Sequence, residues 1–368
     1  MTCGRNRAEI DICRWRAEPL PPLDEAAGVR AREILAGLAK PPGSLGRLED
    51  LGADLAAMTG TVPPEAPKKA VVVMAGDHGV VAEGVTPYPS AVTALMVQTF
   101  LTGRGAVNVL ARQAGAAVIC VDVGVAADVA ADFGSGPAGV LRREKIRYGT
   151  ANLARGPAMS RAEAAAAVEV GVRLAAELSD GGYGLLAAGE MGIGNTTASA
   201  ALLAVLTGAA LDQVVGPGTG LDAVGLVRKR AAAARGIEYN RPDPGDALDT
   251  LSKIGGLEIA ALAGLMVGAA RLRRPVIVDG LISAAAAVAA DALVPGVRSY
   301  LIAGHLSTEP GHAVALKHLE LRPYLDLEMR LGEGTGAVMA FHLIDAACRI
   351  MAEMATLASL GITADRGD

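Results

Sequence analysis

Two glutamates of this chain stand inside glycine turns. Glu333 lies in RLGEGTGAVM (330–339) and Glu190 in GEMGIGNTT (189–197), and each turn runs into an apolar stretch. Glycine bares backbone N–H groups, which suit an anion, so a carboxylate planted among them needs a reason. A carboxylate withdrawn from water keeps its proton to higher pH and can exchange it near neutrality. Glu333 is therefore read as a candidate general base. A second reading stays open, in which it is an acid at a helix N-terminus favoured by the helix dipole.

The glycines themselves point to phosphate. Gly192 and Gly194 permit close approach of backbone to a ligand, and Asn195, Thr196 and Thr197 can cap the next helix and hydrogen-bond a phosphate. No lysine follows as in a Walker A loop, and the spacing is not G-x-G-x-x-G. An ordinary capped turn fits the same residues. A further turn, VVGPGTGLD (214–222), carries Gly216 and Gly218 and is followed by the basic VRKR at 227–230. Backbone amides with one Lys or Arg can hold a phosphate, although a solvated surface helix has the same composition. Three such turns, each before a helix, together suggest a phosphorylated, sugar-containing small molecule.

Other candidates carry less. Asp77 and His78 in AGDHGV (75–80) read as a turn-stabilising pair, and His305 in AGHLSTEPGH as support or core. No cluster of His, Cys and Asp has metal-ligand spacing, so neither a metal nor another cofactor is expected. There is no G-x-S-x-G elbow and no cysteine beside a usable histidine motif, which leaves nucleophilic catalysis without support. In VTPYPSAVTALMV (85–97), Tyr88, Leu95 and Met96 can wall an apolar ring pocket or simply pack.

Positioning these residues requires a scaffold. A short β-branched run leads into a glycine turn at 68–80, and strand-then-glycine segments recur at 116–125, 183–194, 274–283 and 299–307. Between them lie Ala/Leu-rich helical stretches such as 161–177, 196–207 and 284–293. Strands alternating with helices predict a parallel sheet covered on both faces, with its ligand loops at the carboxyl ends of the strands. Helices at 24–60, broken at Pro41-Pro42-Gly43, and helices at 312–320 and 336–358 are expected at the two ends of the chain. The reading is an α/β fold: 1–65 as N-terminal helices, 66–310 as the α/β body, and 311–368 as C-terminal helices carrying the Glu333 turn.

Composition narrows the class. The chain has 368 residues, a net charge of -5 and a pI of about 5.7, without a block of like charge, which argues against a nucleic-acid partner. Apolar residues reach 51% while aromatics are 3%, because alanine supplies much of the count and lets helices approach closely. The apolar runs 256–270 and 276–294 contain Glu258, Asp279 and Asp291, so buried elements are expected in place of membrane spans. The first twenty residues hold no apolar h-region, so no secretory signal is expected. Cys3, Cys13, Cys120 and Cys348 are far apart, which fits a reducing cytoplasm.

Taken together, LAKPPGSLGRLEDL, MAGDHGVVAEGVTPYP, GEMGIGNTTASAALL, LSKIGGLEIAALAG, PVIVDGLISAAAA, LIAGHLSTEPGHAVAL and MRLGEGTGAVMA resemble the nicotinate-nucleotide–dimethylbenzimidazole phosphoribosyltransferase family. The resemblance runs in order from about residue 30 to 355. It implies a Rossmann-like parallel sheet with a small helical domain built from both termini, assembled as a homodimer. It implies transfer of phosphoribose from nicotinate mononucleotide to 5,6-dimethylbenzimidazole, giving α-ribazole 5′-phosphate and nicotinate. Carried over motif by motif, Glu333 matches the family's catalytic base, Glu190 and the glycines after it lie at the nucleotide, and Lys229 helps hold the phosphate. The chain departs from many relatives in the helix after the proline loop, where Leu95 and Met96 stand near a usual glutamine, so the accepted base is open. Two other classes remain: an N-glycosidic phosphorylase or hydrolase, and a catalytically silent nucleotide-binding subunit.

Overall fold

The run KKAVVVMAG forms strand β1 (Lys68–Gly76), and every residue from Ala70 to Gly76 is buried, so both of its sides are covered. A computed structural model describes residues 19–129 and 139–362. Around β1 lie β2 (Ala116–Gly124), β3 (Val140–Arg143), β4 (Tyr183–Met191), β5 (Val276–Val278) and β6 (Leu301–Ala303). The sheet order is β3-β2-β1-β4-β5-β6, with all neighbours parallel. Strand order reverses between β1 and β4, and in such sheets the crevice beyond the strand ends at that switch point receives the ligand. The 299–307 run breaks at Gly304, where a Cβ would stand 3.0 Å from Ala337 Cα; beyond it β7 (His305–Leu306) pairs in parallel with β8 (Leu325–Asp326).

The helices are α1 (Glu25–Gly37), α2 (Arg47–Thr59), α3 (Ala91–Leu101), α4 (Ala106–Ala114), α5 (Arg161–Asp180) and α6 (Asn195–Thr207). After the short turn at Leu211–Val214 come α7 (Ala223–Asn240), α8 (Ala247–Ile254), α9 (Leu257–Arg271), α10 (Leu281–Leu293), α11 (Pro310–His318) and α12 (Thr335–Glu353). A capping box of Ser160 and Glu163 starts α5. This helix packs closely on α9. A Cβ at Gly171 would fall 2.0 Å from Ala261 O, and one at Gly264 would fall 2.0 Å from Val168 O. Only hydrogen fits at these crossings, which is how small residues become tight layers.

The apolar run at 256–270 is α9, buried throughout from Leu257 to Ala270. Strand β3 had no apolar run to reveal it, because VLRR lies at the sheet edge and is half-exposed. At the ends of the chain, α1 and α2 pack on each other and on α12 around a second small core that includes Ala31, Leu35, Leu38, Ala53, Ala56 and Met351. Among the described residues α12 alone is long and apolar enough to cross a membrane, and it lies against the sheet and α4. The expectations for 1–18 and 363–368, with Cys3 and Cys13, fall outside the described residues; Cys120 and Cys348 are free thiols.

Candidate active site

A cavity of about 650 Å³ opens beyond the carboxyl ends of β4 and β5. Of the residues singled out in the sequence, Tyr88, Met96, Glu190, Gly192, Asn195 and Thr196 line it, as do Gly218 and Glu333. One wall is apolar, with Val92 and Met96 from successive turns of α3 and Met191 and Ile193 from the β4 turn. A second region of the lining, around Gly218, is polar: Thr196, Thr219, Ser307, Glu309 and Arg330.

Leu95, Gly194, Gly216 and Lys229 lie outside the lining, as does Thr197. Leu95 is 58% exposed. One residue along a helix turns the side chain by about 100°, so Leu95 cannot share the cavity face that Val92 and Met96, four apart, occupy. Gly194 starts α6 in a left-handed conformation (φ 95°), and a Cβ there would meet Val81 Cγ2 at 2.9 Å. Gly216 sits against Glu309, whose Oε2 would be 2.2 Å from an added Cβ. Lys229 is fully buried beneath this turn, where Nζ donates to Gly216 O at 2.8 Å. Burial pulls the Lys229 ammonium down to about 8, against the attraction of Glu309. Glu309 Oε1 accepts the Gly218 N–H at 2.8 Å, so Lys229 and Glu309 both fasten the glycine turn.

Asn195 does not cap α6. Its Nδ2 donates to Glu190 Oε2, and no side chain caps this helix. Thr197 is fully buried, away from the cavity. Glu190 is pushed up to about 8 by burial, then by the charges of Asp279 and Glu258, while Asn195 and the Glu333 amide oppose the rise. Glu333, 6% exposed, is pushed up to about 7 by burial and then by Asp279, with the Val107 amide pulling the other way. One Glu333 oxygen, Oε2, is buried without a hydrogen-bond partner. Glu333 itself holds φ 63°, between Gly332 at 82° and Gly334 at 86°. The turn can press this close to β4 because residue 189 is glycine: a Cβ there would stand 2.6 Å from Glu333 O.

Asp77 and His78 support the turn after β1. Asp77 accepts from Thr93 Oγ1 (2.6 Å) and from the Ala126 N–H (2.8 Å). His78 Nε2 lies 2.5 Å from Glu258 Oε1, both side chains being fully buried. Burial alone would lower the imidazole, yet the Glu258 carboxylate and then Asp77 hold it above its usual range. His305 lines the cavity, with Nε2 3.5 Å from Asp279 Oδ1. Its neighbour His312 is driven down to about 4 by burial and His305, and its Nδ1 accepts the Ser307 N–H at 2.9 Å. Among the described residues no three His, Cys, Asp or Glu side chains group with metal spacing.

Sequence reasoning passed over Arg330, Glu309, Ser307 and Asp279. Arg330 and Glu309 sit beside motifs that were already in view, and Arg330 Nη1 donates to Gly218 O at 3.2 Å. Nothing local marked Asp279, because its partners are 55 and 58 residues away.

A family model described as phosphoribosyltransferase matches residues 20–362. A protein of Desulforudis audaxviator named nicotinate-nucleotide–dimethylbenzimidazole phosphoribosyltransferase is 51% identical over 98% of this chain and all of its own length. One of the same name from Chloroflexus aggregans is 52% identical, over 93% of this chain and 95% of its own. The crystal structure of CobT from Thermus thermophilus superposes with a TM-score of 0.87 at 46% identity, covering 92% of this chain and 99% of that one. With the match to the family model spanning nearly the whole sequence, and half of all positions shared with such relatives, the chain belongs to the nicotinate-nucleotide–dimethylbenzimidazole phosphoribosyltransferase family.

Proposed function

We propose that this enzyme transfers the phosphoribosyl group of nicotinate mononucleotide to 5,6-dimethylbenzimidazole, yielding α-ribazole 5′-phosphate and nicotinate, with Glu333 as the general base. The observation that carries the reading is the pairing, in one cavity, of a buried carboxylate poised near neutrality with a polar glycine-rich end and an apolar wall. The acceptor stacks against the Tyr88 and Met96 side, and the ribose phosphate lies toward Gly192, Thr196, Gly218 and Arg330. Lys229 acts on the phosphate through the turn it braces, and by its charge.

In the step itself, a benzimidazole ring nitrogen donates its lone pair to C1′ as the bond from C1′ to the nicotinate nitrogen breaks. That bonding pair returns to the pyridinium, which leaves as a neutral pyridine ring bearing its carboxylate. The proton of the acceptor's other nitrogen passes to Glu333. Approach from the face opposite the departing ring turns a β-nucleotide into an α-product. A positioned base of this kind contributes about 10²–10⁴ in rate.

The family resemblance supports a homodimer. The spaced cysteines support a cytoplasmic setting, and the small core shared by α1, α2 and α12 supports a helical subdomain made from both ends of the chain. The decisive experiment is product analysis with nicotinate mononucleotide, with and without dimethylbenzimidazole. Nicotinate release should require the aromatic acceptor and match an α-nucleotide product in amount. Release with water or phosphate alone would make the enzyme a hydrolase or phosphorylase. No turnover at all would favour a silent nucleotide-binding subunit.

A further inference from the structure

Three of the amides that make the Glu333 turn attractive to an anion are already taken by carboxylates. Asp279, directly after β5, is 2% exposed; its Oδ2 accepts the Gly334 N–H (3.2 Å) and its Oδ1 the Ala337 N–H (2.9 Å). The Glu333 N–H points to Glu190 Oε1 at 3.4 Å. Two carboxylates from neighbouring strands thus face the N-terminal amides of α12, which is where helix geometry and dipole favour negative charge. This is why an anion-friendly turn tolerates a glutamate: its amides bind the protein's own acids, and the Glu333 side chain is free to point elsewhere. Asp279 is itself held, its N–H donating to Ser283 Oγ (2.9 Å), and that hydroxyl donating to Gly280 O (3.1 Å).

We propose that Asp279 is a positioning residue for Glu333, clamping the base's turn through two amide hydrogen bonds and laying a second negative charge beside it. The proposal rests on Glu333 being the base. The clamp matters because Glu333 has a left-handed backbone, which an L residue keeps only when its surroundings hold it. The charge matters because a neighbouring carboxylate disfavours the ionised form of another, so the base binds its proton more tightly. His305, Glu309 and Arg330 line the same cavity as Glu333. Glu190 comes from β4, Asp279 follows β5, and His305 stands beside Asp279 from β7. The Cys120 thiol of β2 is pushed up to about 12 by burial and then by Glu333 itself, and the Val107 amide begins α4. Asp279 is the member of this set that touches both the turn and the first turn of the helix.

Asp279→Asn keeps the shape and one carbonyl acceptor but removes the charge and turns an N–H₂ toward the turn. Turnover should fall about 10- to 100-fold, by comparison with other residues that orient a catalytic group, while KM for nicotinate mononucleotide stays within a few-fold. The acid limb of the kcat profile should move to lower pH by roughly one unit, as expected when one charged neighbour is lost. Asp279→Ser, smaller and also uncharged, should move the limb in the same direction and serves if the asparagine variant does not fold. In a Glu333→Gln background, adding Asp279→Asn should cost nothing further, because Asp279 acts through Glu333. An acid limb that stays put in both single variants, or losses that multiply in the double variant, would overturn the proposal. If Glu333→Gln keeps normal turnover, the base assignment itself falls; if it is inactive while the limb stays put, only the role of Asp279 falls.

Discussion

Changing Glu333 to Gln removes one proton-accepting charge and almost no volume, and it should have two linked consequences. Burial, then Asp279, lifts the Glu333 carboxyl from an ordinary 4.5 to about 7. Below pH 4.5 it is protonated in folded and unfolded chains alike and shifts nothing. As pH rises, the unfolded chain gives up its proton first, so the folded state loses stability until pH passes about 7. At 1.36 kcal/mol per pH unit, the gap from 4.5 to about 7 is worth roughly 3 kcal/mol, a cost fully present at pH 8. Glutamine has no such dependence. The stability of Glu333→Gln relative to wild type should therefore improve by roughly 2–3 kcal/mol between pH 5 and pH 8. Any constant penalty from a buried side-chain N–H₂ cancels in that comparison. Turnover should meanwhile fall about 10²–10⁴-fold, and the acid limb near pH 7 should disappear from what remains. Urea unfolding at the two pH values and a nicotinate-release assay measure both. Turnover within a few-fold of wild type, or a stability difference that is flat with pH, would refute the reasoning.

Other outcomes test the acceptor wall and the packing. Met96→Gln should change the ranking of acceptor bases in a competition assay while leaving nicotinate mononucleotide affinity nearly unchanged; an unchanged ranking would remove α3 from the acceptor site. In the wild type, benzimidazole should be used within roughly two orders of magnitude of dimethylbenzimidazole, since methyl groups in an apolar pocket discriminate by about 1–3 kcal/mol. Gly264→Ala should lower stability by about 1–3 kcal/mol, because its Cβ would stand 2.0 Å from Val168 O. Gly37→Ala in α1, where no atom lies within 4 Å, should be neutral or slightly stabilising in the same melting experiment.

The strands and the turns that end them were legible because both are local. β-branched runs such as KKAVVVMAG are bounded by glycine, and Glu190 and Glu333 sit inside motifs of a few residues. Period and face were harder. Leu95 and Met96 are adjacent in sequence, and only the rotation of α3 against the sheet decided that Met96 lines the cavity while Leu95 meets solvent. Asn195 looked like a helix cap by position, but Glu190, brought beside it by the bend after β4, is the partner it found. Lys229 carried the right charge for a phosphate, yet the packing of α7 sank it beneath the Gly216 turn. What the sequence determined by itself was chemistry that needs only neighbours along the chain: which residue types stand where, and which turns they can make. What tertiary structure alone decided was how far each acid lies from the others and from water. Asp279 meets the Glu333 turn across more than fifty residues of chain, and burial, which lifts Glu190 to about 8 and Glu333 to about 7, exists only once segments far apart in sequence have closed around them.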